Sequence, residues 1–137
     1  MRHAITAAIM SLTACTPMTQ VAATSTTSQS LVGNWRVAQI NGQDVNPAIE
    51  MNLLGTDDEL VFNAPCGPYI WAHFKRNSAY VFETKQSLDP HCLATARIVQ
   101  DVFLVIHIIG DVDTVTPNQG SGLRLTGDRG SILLRSQ

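Results

Sequence analysis

Three cysteines and four histidines hold most of the reactive chemistry in this 137-residue chain. Cys66 and Cys92 could form a disulfide, or, with His91 and His73 as further ligands, a metal or redox site. Zinc sites nucleate on a local Cys-x-x-Cys or His-x-x-x-His pair, and thiol-disulfide catalysts on Cys-x-x-Cys. Neither spacing occurs. In an oxidising compartment two such cysteines pair with each other, and closing a loop of this length contributes about 3.5 kcal/mol in the chain-entropy picture. The disulfide is the expectation, with metal and redox chemistry as the competing readings.

Other catalytic patterns are missing. A nucleophilic serine would need a context such as Gly-x-Ser-x-Gly, whereas Gly120-Ser121-Gly122 reads as a loop with a small polar residue. The carboxylates of Asp57-Asp58-Glu59 and of Asp111 and Asp113 do not follow the Asp-x-Asp-x-Asp-Gly calcium pattern and read as solvated loop charge. There is no glycine-rich phosphate loop. His107 lies in an apolar stretch, where a satisfied core or boundary imidazole is expected. No catalytic residue, metal ligand set or cofactor is therefore assigned. The aromatic residues Trp35, Tyr69, Trp71, Tyr80 and Phe82 read first as core, because they bury the most area, and second as a groove for a small apolar ligand or a protein partner.

Cys15 belongs to a different context. Met1-Arg2-His3 opens the chain with positive charge, and Ala4 to Leu12 is an apolar run too short to span a bilayer, the pattern of a signal peptide. Leu12-Thr13-Ala14-Cys15 resembles the lipobox of bacterial lipoproteins, which implies cleavage after residue 14 and lipidation of Cys15. Several acyl chains, at about 0.8 kcal/mol per buried methylene, would make a stable membrane anchor. Thr16 stands where an inner-membrane retention signal would place aspartate, so the expected location is the outer membrane, facing the periplasm. Residues 15–30 carry no charge and no aromatic side chain and read as a flexible tether. Residues 31–137 form the folded domain.

The composition suits one such domain, with 45% hydrophobic and 15% charged residues. The net charge of -2 is interspersed, without the basic stripe that nucleic-acid binding requires, so nucleic acid is not an expected partner.

The elements that must position these residues follow from periodicity. Leu31, Gly33, Trp35 and Val37 alternate up to Asn41-Gly42, a strand running into a tight turn, and a short second strand fits Gln43 to Val45. Residues 48–58 fit neither period and read as a loop or helical turn. Leu60 to Phe62 is a strand, and Pro65-Cys66-Gly67-Pro68 a rigid corner. Tyr69 to Phe74 and Ala79 to Thr84 make a hairpin around Lys75 to Ser78. Asp89-Pro90 is a cap and first turn, and Ala96, Val99, Val102, Phe103, Ile106 and Ile109 recur at helical spacing up to Gly110. The pattern predicts one helix from Pro90 to Ile109, with a buried strand as the alternative for its second half. A strand over Val112 to Thr116 and a closing hairpin, Leu123 to Thr126 with Ser131 to Arg135, complete the chain.

In this order the pieces resemble the META domain family, the HslJ-like proteins, over Leu31 to Arg135. The resemblance is carried by Leu31-Val32-Gly33-Asn34-Trp35-Arg36-Val37 with Ile40-Asn41-Gly42, by Leu60-Val61-Phe62 and Cys66, by Asp89-Pro90-His91-Cys92, and by Leu123-Arg124-Leu125-Thr126 with Gly130 to Arg135. It implies an α+β, mainly β fold: a small barrel-like antiparallel sheet with one packed helix. It also implies a non-enzymatic binding or structural role in the cell envelope, linked to stress or antibiotic tolerance, with an envelope protein or small apolar ligand as partner. The alternative is a periplasmic protease inhibitor, since small β-barrel inhibitors of bacterial metalloproteases are similar in their Gly-x-Trp strand and single disulfide. The helix from Pro90 separates the two, being expected only in the first.

Overall fold

The computed structural model describes residues 29–137. The expected leader, Cys15 and the tether up to residue 28 lie outside the described residues. The chain runs through β1 (Gly33–Ile40), β2 (Gln43–Asp44), β3 (Asn52–Gly55), β4 (Glu59–Ala64), β5 (Gly67–Arg76), β6 (Ala79–Gln86), α1 (Pro90–Thr95), α2 (Gln100–Ile109), β7 (Val112–Asn118), β8 (Gly122–Gly127) and β9 (Gly130–Ser136). The strands pair antiparallel in the order β6-β5-β4-β3-β1-β9-β8-β7, with β2 attached to β1 alone. The sheet curls until its two outer strands approach within 8 Å between Cα atoms, yet no ladder joins β6 to β7. The result is a nearly closed, mainly β barrel, as expected.

Turn chemistry sets the register. Asn41 and Gly42 both take positive φ, 52° and 79°, and so do Asn77 and Ser78, 51° and 69°. Two consecutive left-handed residues match the right-handed twist of a two-residue hairpin. Pro65-Cys66 cannot do this, because proline is fixed at negative φ. Gly67 supplies the left-handed residue instead, at φ 98°, and the expected corner is a hairpin turn with β4 and β5 paired right up to it.

Two expectations need correction. Residues 48–58 contain a strand: β3 pairs with both β1 and β4, and buries Leu53 while leaving Leu54 exposed. Its last residue has to be glycine, because a Cβ at Gly55 would fall 1.8 Å from the Leu31 carbonyl oxygen. The single helix from Pro90 to Ile109 is two helices. The Thr95 hydroxyl donates to the Cys92 carbonyl at 3.2 Å, the Ala96 N–H donates to the same oxygen, and Ala96 is extended, with ψ 140°. Val99 is extended too and starts α2. The buried stripe of α2 is Val102, Val105, Ile108 and Ile109, whereas Phe103 and Val99 are among the exposed apolar residues. Residues 100–109 are helix, not strand.

These four α2 side chains share one core with Phe62, Trp71, Leu123, Leu125, Ile132 and Leu134 from the strands. α2 is thus the packed helix, while α1 buries none of its residues. The barrel is also clasped by a polar contact between distant turns. Asn41 Oδ1 accepts from the Ser131 N–H at 2.9 Å, and a Cβ at Gly130 would fall 2.1 Å from that oxygen.

Candidate functional site

Cys66 and Cys92 are joined by a disulfide, their Cα atoms 5.6 Å apart. Cys66 stands in the β4–β5 turn and Cys92 in the first turn of α1, where Asp89 caps the helix by accepting from the His91 N–H at 2.8 Å. The Asp89 N–H donates to the Cys66 carbonyl at 3.1 Å, so backbone and sulfur make the same junction. His91 is exposed at the same turn. His73 is buried, with Nε2 3.1 Å from the Thr56 carbonyl oxygen and its ring beside Tyr80 and Phe82. Among the described residues no group of three or more His, Cys, Asp or Glu side chains could hold a metal ion.

The predicted aromatic set divides by depth. Trp35, Trp71 and Phe82 are core, whereas Tyr69 and Tyr80 are half-buried with hydroxyls engaged: Tyr69 with Thr84 Oγ1 at 3.1 Å, Tyr80 donating to the Gln29 carbonyl at 2.6 Å. Tyr80 lies at the unpaired seam of the barrel. A cleft of about 620 Å³ opens there between the start of β6 and β7, with Lys75 4.9 Å from the Tyr80 ring centre and Asp113 to Pro117 on the far side. A neighbouring cleft of about 260 Å³ reaches past Tyr80 to His73. Asp57, Lys75 and Asp113 are the charged residues that line the two clefts. Glu59 pairs with Lys85, and that hydrogen bond holds the Lys85 ammonium above its usual pKa.

A third cleft, of about 210 Å³, lies where the end of α2 meets β5 and the β8–β9 turn. Trp71 forms part of its wall, with His107 and Arg129 exposed around it. The two indoles differ sharply. Trp35 Nε1 donates to the Leu31 carbonyl at 2.7 Å, while Trp71 Nε1 is the one buried side-chain nitrogen or oxygen among the described residues without a protein partner. Leaving such a donor unpaired costs about 1–3 kcal/mol. Trp71 is legible in the sequence as a core aromatic, but nothing local signals its unpaired N–H or its neighbours Asp111 and Arg129. Gly110 reads there only as a helix stop, and His107, expected as a satisfied core or boundary imidazole, stands exposed at the cleft.

Comparison with family models, with curated proteins and with solved structures finds no match to the chain.

Proposed function

We propose that this chain is a lipid-anchored cell-envelope protein of the META type, tethered to the outer membrane through Cys15, with a binding role rather than a catalytic one. The observation that carries the reading is the Cys66–Cys92 disulfide. Such bonds persist in oxidising compartments, and pairing these two leaves Cys15 as the one cysteine free for lipid. The seam at Tyr80 offers the binding surface: strand edges that no ladder joins flank a cleft of about 620 Å³, the size of a small apolar molecule or of the anchoring side chains of an envelope protein. The helices α1 and α2 support this reading over the protease inhibitor, which calls for no helix at this position.

Intact-mass measurement on the protein from a bacterial membrane fraction, with and without reduction and alkylation, tests it. The expected species begins at Cys15, carries acyl chains, and takes alkyl groups on Cys66 and Cys92 only after reduction. An unprocessed chain with three free thiols overturns it.

A further inference from the structure

The cleft at the end of α2 has a floor that asks for an acceptor. The Trp71 side chain is fully buried and its N–H has no protein partner, although native structures pair nearly all such donors. An indole N–H only donates, so whatever meets it must accept. Around it stand the Arg129 guanidinium and the His107 imidazole, with Arg129 Nη1 3.5 Å from His107 Nδ1. The opposing charge is Asp111, and its Oδ2 already accepts the Arg129 backbone N–H at 3.1 Å. Tyr69 and Thr84 close the β-sheet side with their hydroxyls turned to each other.

Gly110 shows that this space is kept clear. Its φ of -61° is ordinary right-handed helix, so no backbone strain demands glycine. A Cβ there would make only ordinary contacts, 3.6 Å to the Ile106 carbonyl oxygen and 3.9 Å to Trp71 Nε1. The missing methyl leaves the space beside the indole edge unfilled, and because the nitrogen itself is covered, an acceptor reaches it only as the exposed Arg129 and His107 side chains give way.

We propose that this cleft binds a small organic carboxylate, one oxygen accepting the Trp71 N–H and the other facing the Arg129 guanidinium. A flat, two-oxygen anion can accept the indole N–H with one oxygen and a charge-assisted hydrogen bond with the other, and leave its body in solvent. The volume of about 210 Å³ suits a group of a few heavy atoms, below the range of larger ligands. The site is separate from the Tyr80 seam and does not rest on the envelope reading.

Heteronuclear NMR of the isotope-labelled protein tests the proposal directly, because two tryptophans give two indole N–H resonances. Trp35, already bonded to Leu31, is the internal reference. Titration with sodium acetate, against sodium chloride at matched ionic strength, is expected to move the Trp71 resonance downfield and saturably while Trp35 stays in place. Gly110→Ala should abolish the saturable shift with the thermal midpoint kept. Arg129→Gln, at an exposed turn, should weaken binding about tenfold, and acetamide should bind wild type about tenfold more weakly than acetate. A Trp71 resonance that stays put and shows cross-peaks to water means that ordered water alone satisfies the N–H, and overturns the proposal. So does equal movement with acetate and chloride, or equal binding of acetate and acetamide. A folded Gly110→Ala protein that titrates like wild type also overturns it, and Arg129→Gln decides the case if Gly110→Ala does not fold.

Discussion

The two helices come from one continuous stretch of sequence and are held in opposite ways. α1 buries none of its residues and is fastened at its first turn, by the disulfide to Cys66 and by the Asp89 N–H on the Cys66 carbonyl. α2 has no side-chain cap at its start and no covalent link, yet Val102, Val105, Ile108 and Ile109 place it in the barrel core. A helix of six residues cannot sustain itself in water, because nucleation is costly and short helices recover little of it. The cross-link and the cap take the place of a buried face. Where such a face exists, neither is needed, and the four residues between the helices let each follow its own anchor.

The largest way to break this contrast is to remove burial from α2. Ile108→Ala, at a position 1% exposed, should lower stability by about 4 kcal/mol, measured by urea or guanidinium unfolding. A loss under about 1 kcal/mol would mean that the helix rests on something other than its buried stripe. Next comes the disulfide. The double substitution Cys66→Ser with Cys92→Ser should cost about 3.5 kcal/mol, and amide hydrogen exchange should show α1 losing its protection before α2. Equal and simultaneous loss across both helices would merge them into one unit and end the comparison. The smallest effect belongs to the cap. Asp89→Ala removes the acceptor of the His91 N–H and should cost about 1 kcal/mol in the oxidised protein. If the effect grows after reduction, cap and cross-link share the task of holding α1.

The same contrast explains what could be read from the chain beforehand. The start of α1 was legible because Asp89-Pro90 is a local signal that acts through one side chain and one missing N–H. The break after Thr95 was not, because alanine, arginine, isoleucine and valine at 96–99 carry no stop signal and the helical spacing runs straight through them. Tertiary anchoring at both ends overrides that spacing. Strand β3 was hidden for another reason: four residues are too few for a period to show, and only pairing with β1 and β4 on both sides makes them a strand. In β1 the alternation held as far as Val37. A bulge between Val37 and Gln39 then shifts the register, so that Ile40 turns inward. The cleft around Trp71 draws on Trp71, Gly110 and Arg129, residues far apart in the chain, and an unpaired donor has no signature in one dimension. The disulfide partners, by contrast, were legible as the two cysteines left once Cys15 is set aside.

The position of β1 bears on how the chain reaches this state. It lies between β3 and β9, and its far edge is covered only by β9. While the chain emerges N-terminus first, one side of β1 keeps its N–H and C=O groups open until residues 130–136 arrive, an invitation to pair with another molecule. The clasp of Asn41 on Ser131, 90 residues away, closes at the same late moment. Ordering contacts so distant along the chain makes folding slow for a domain of this size. Completion of the barrel therefore waits for β9, and the β8–β9 hairpin acts as the latch of the whole assembly sequence.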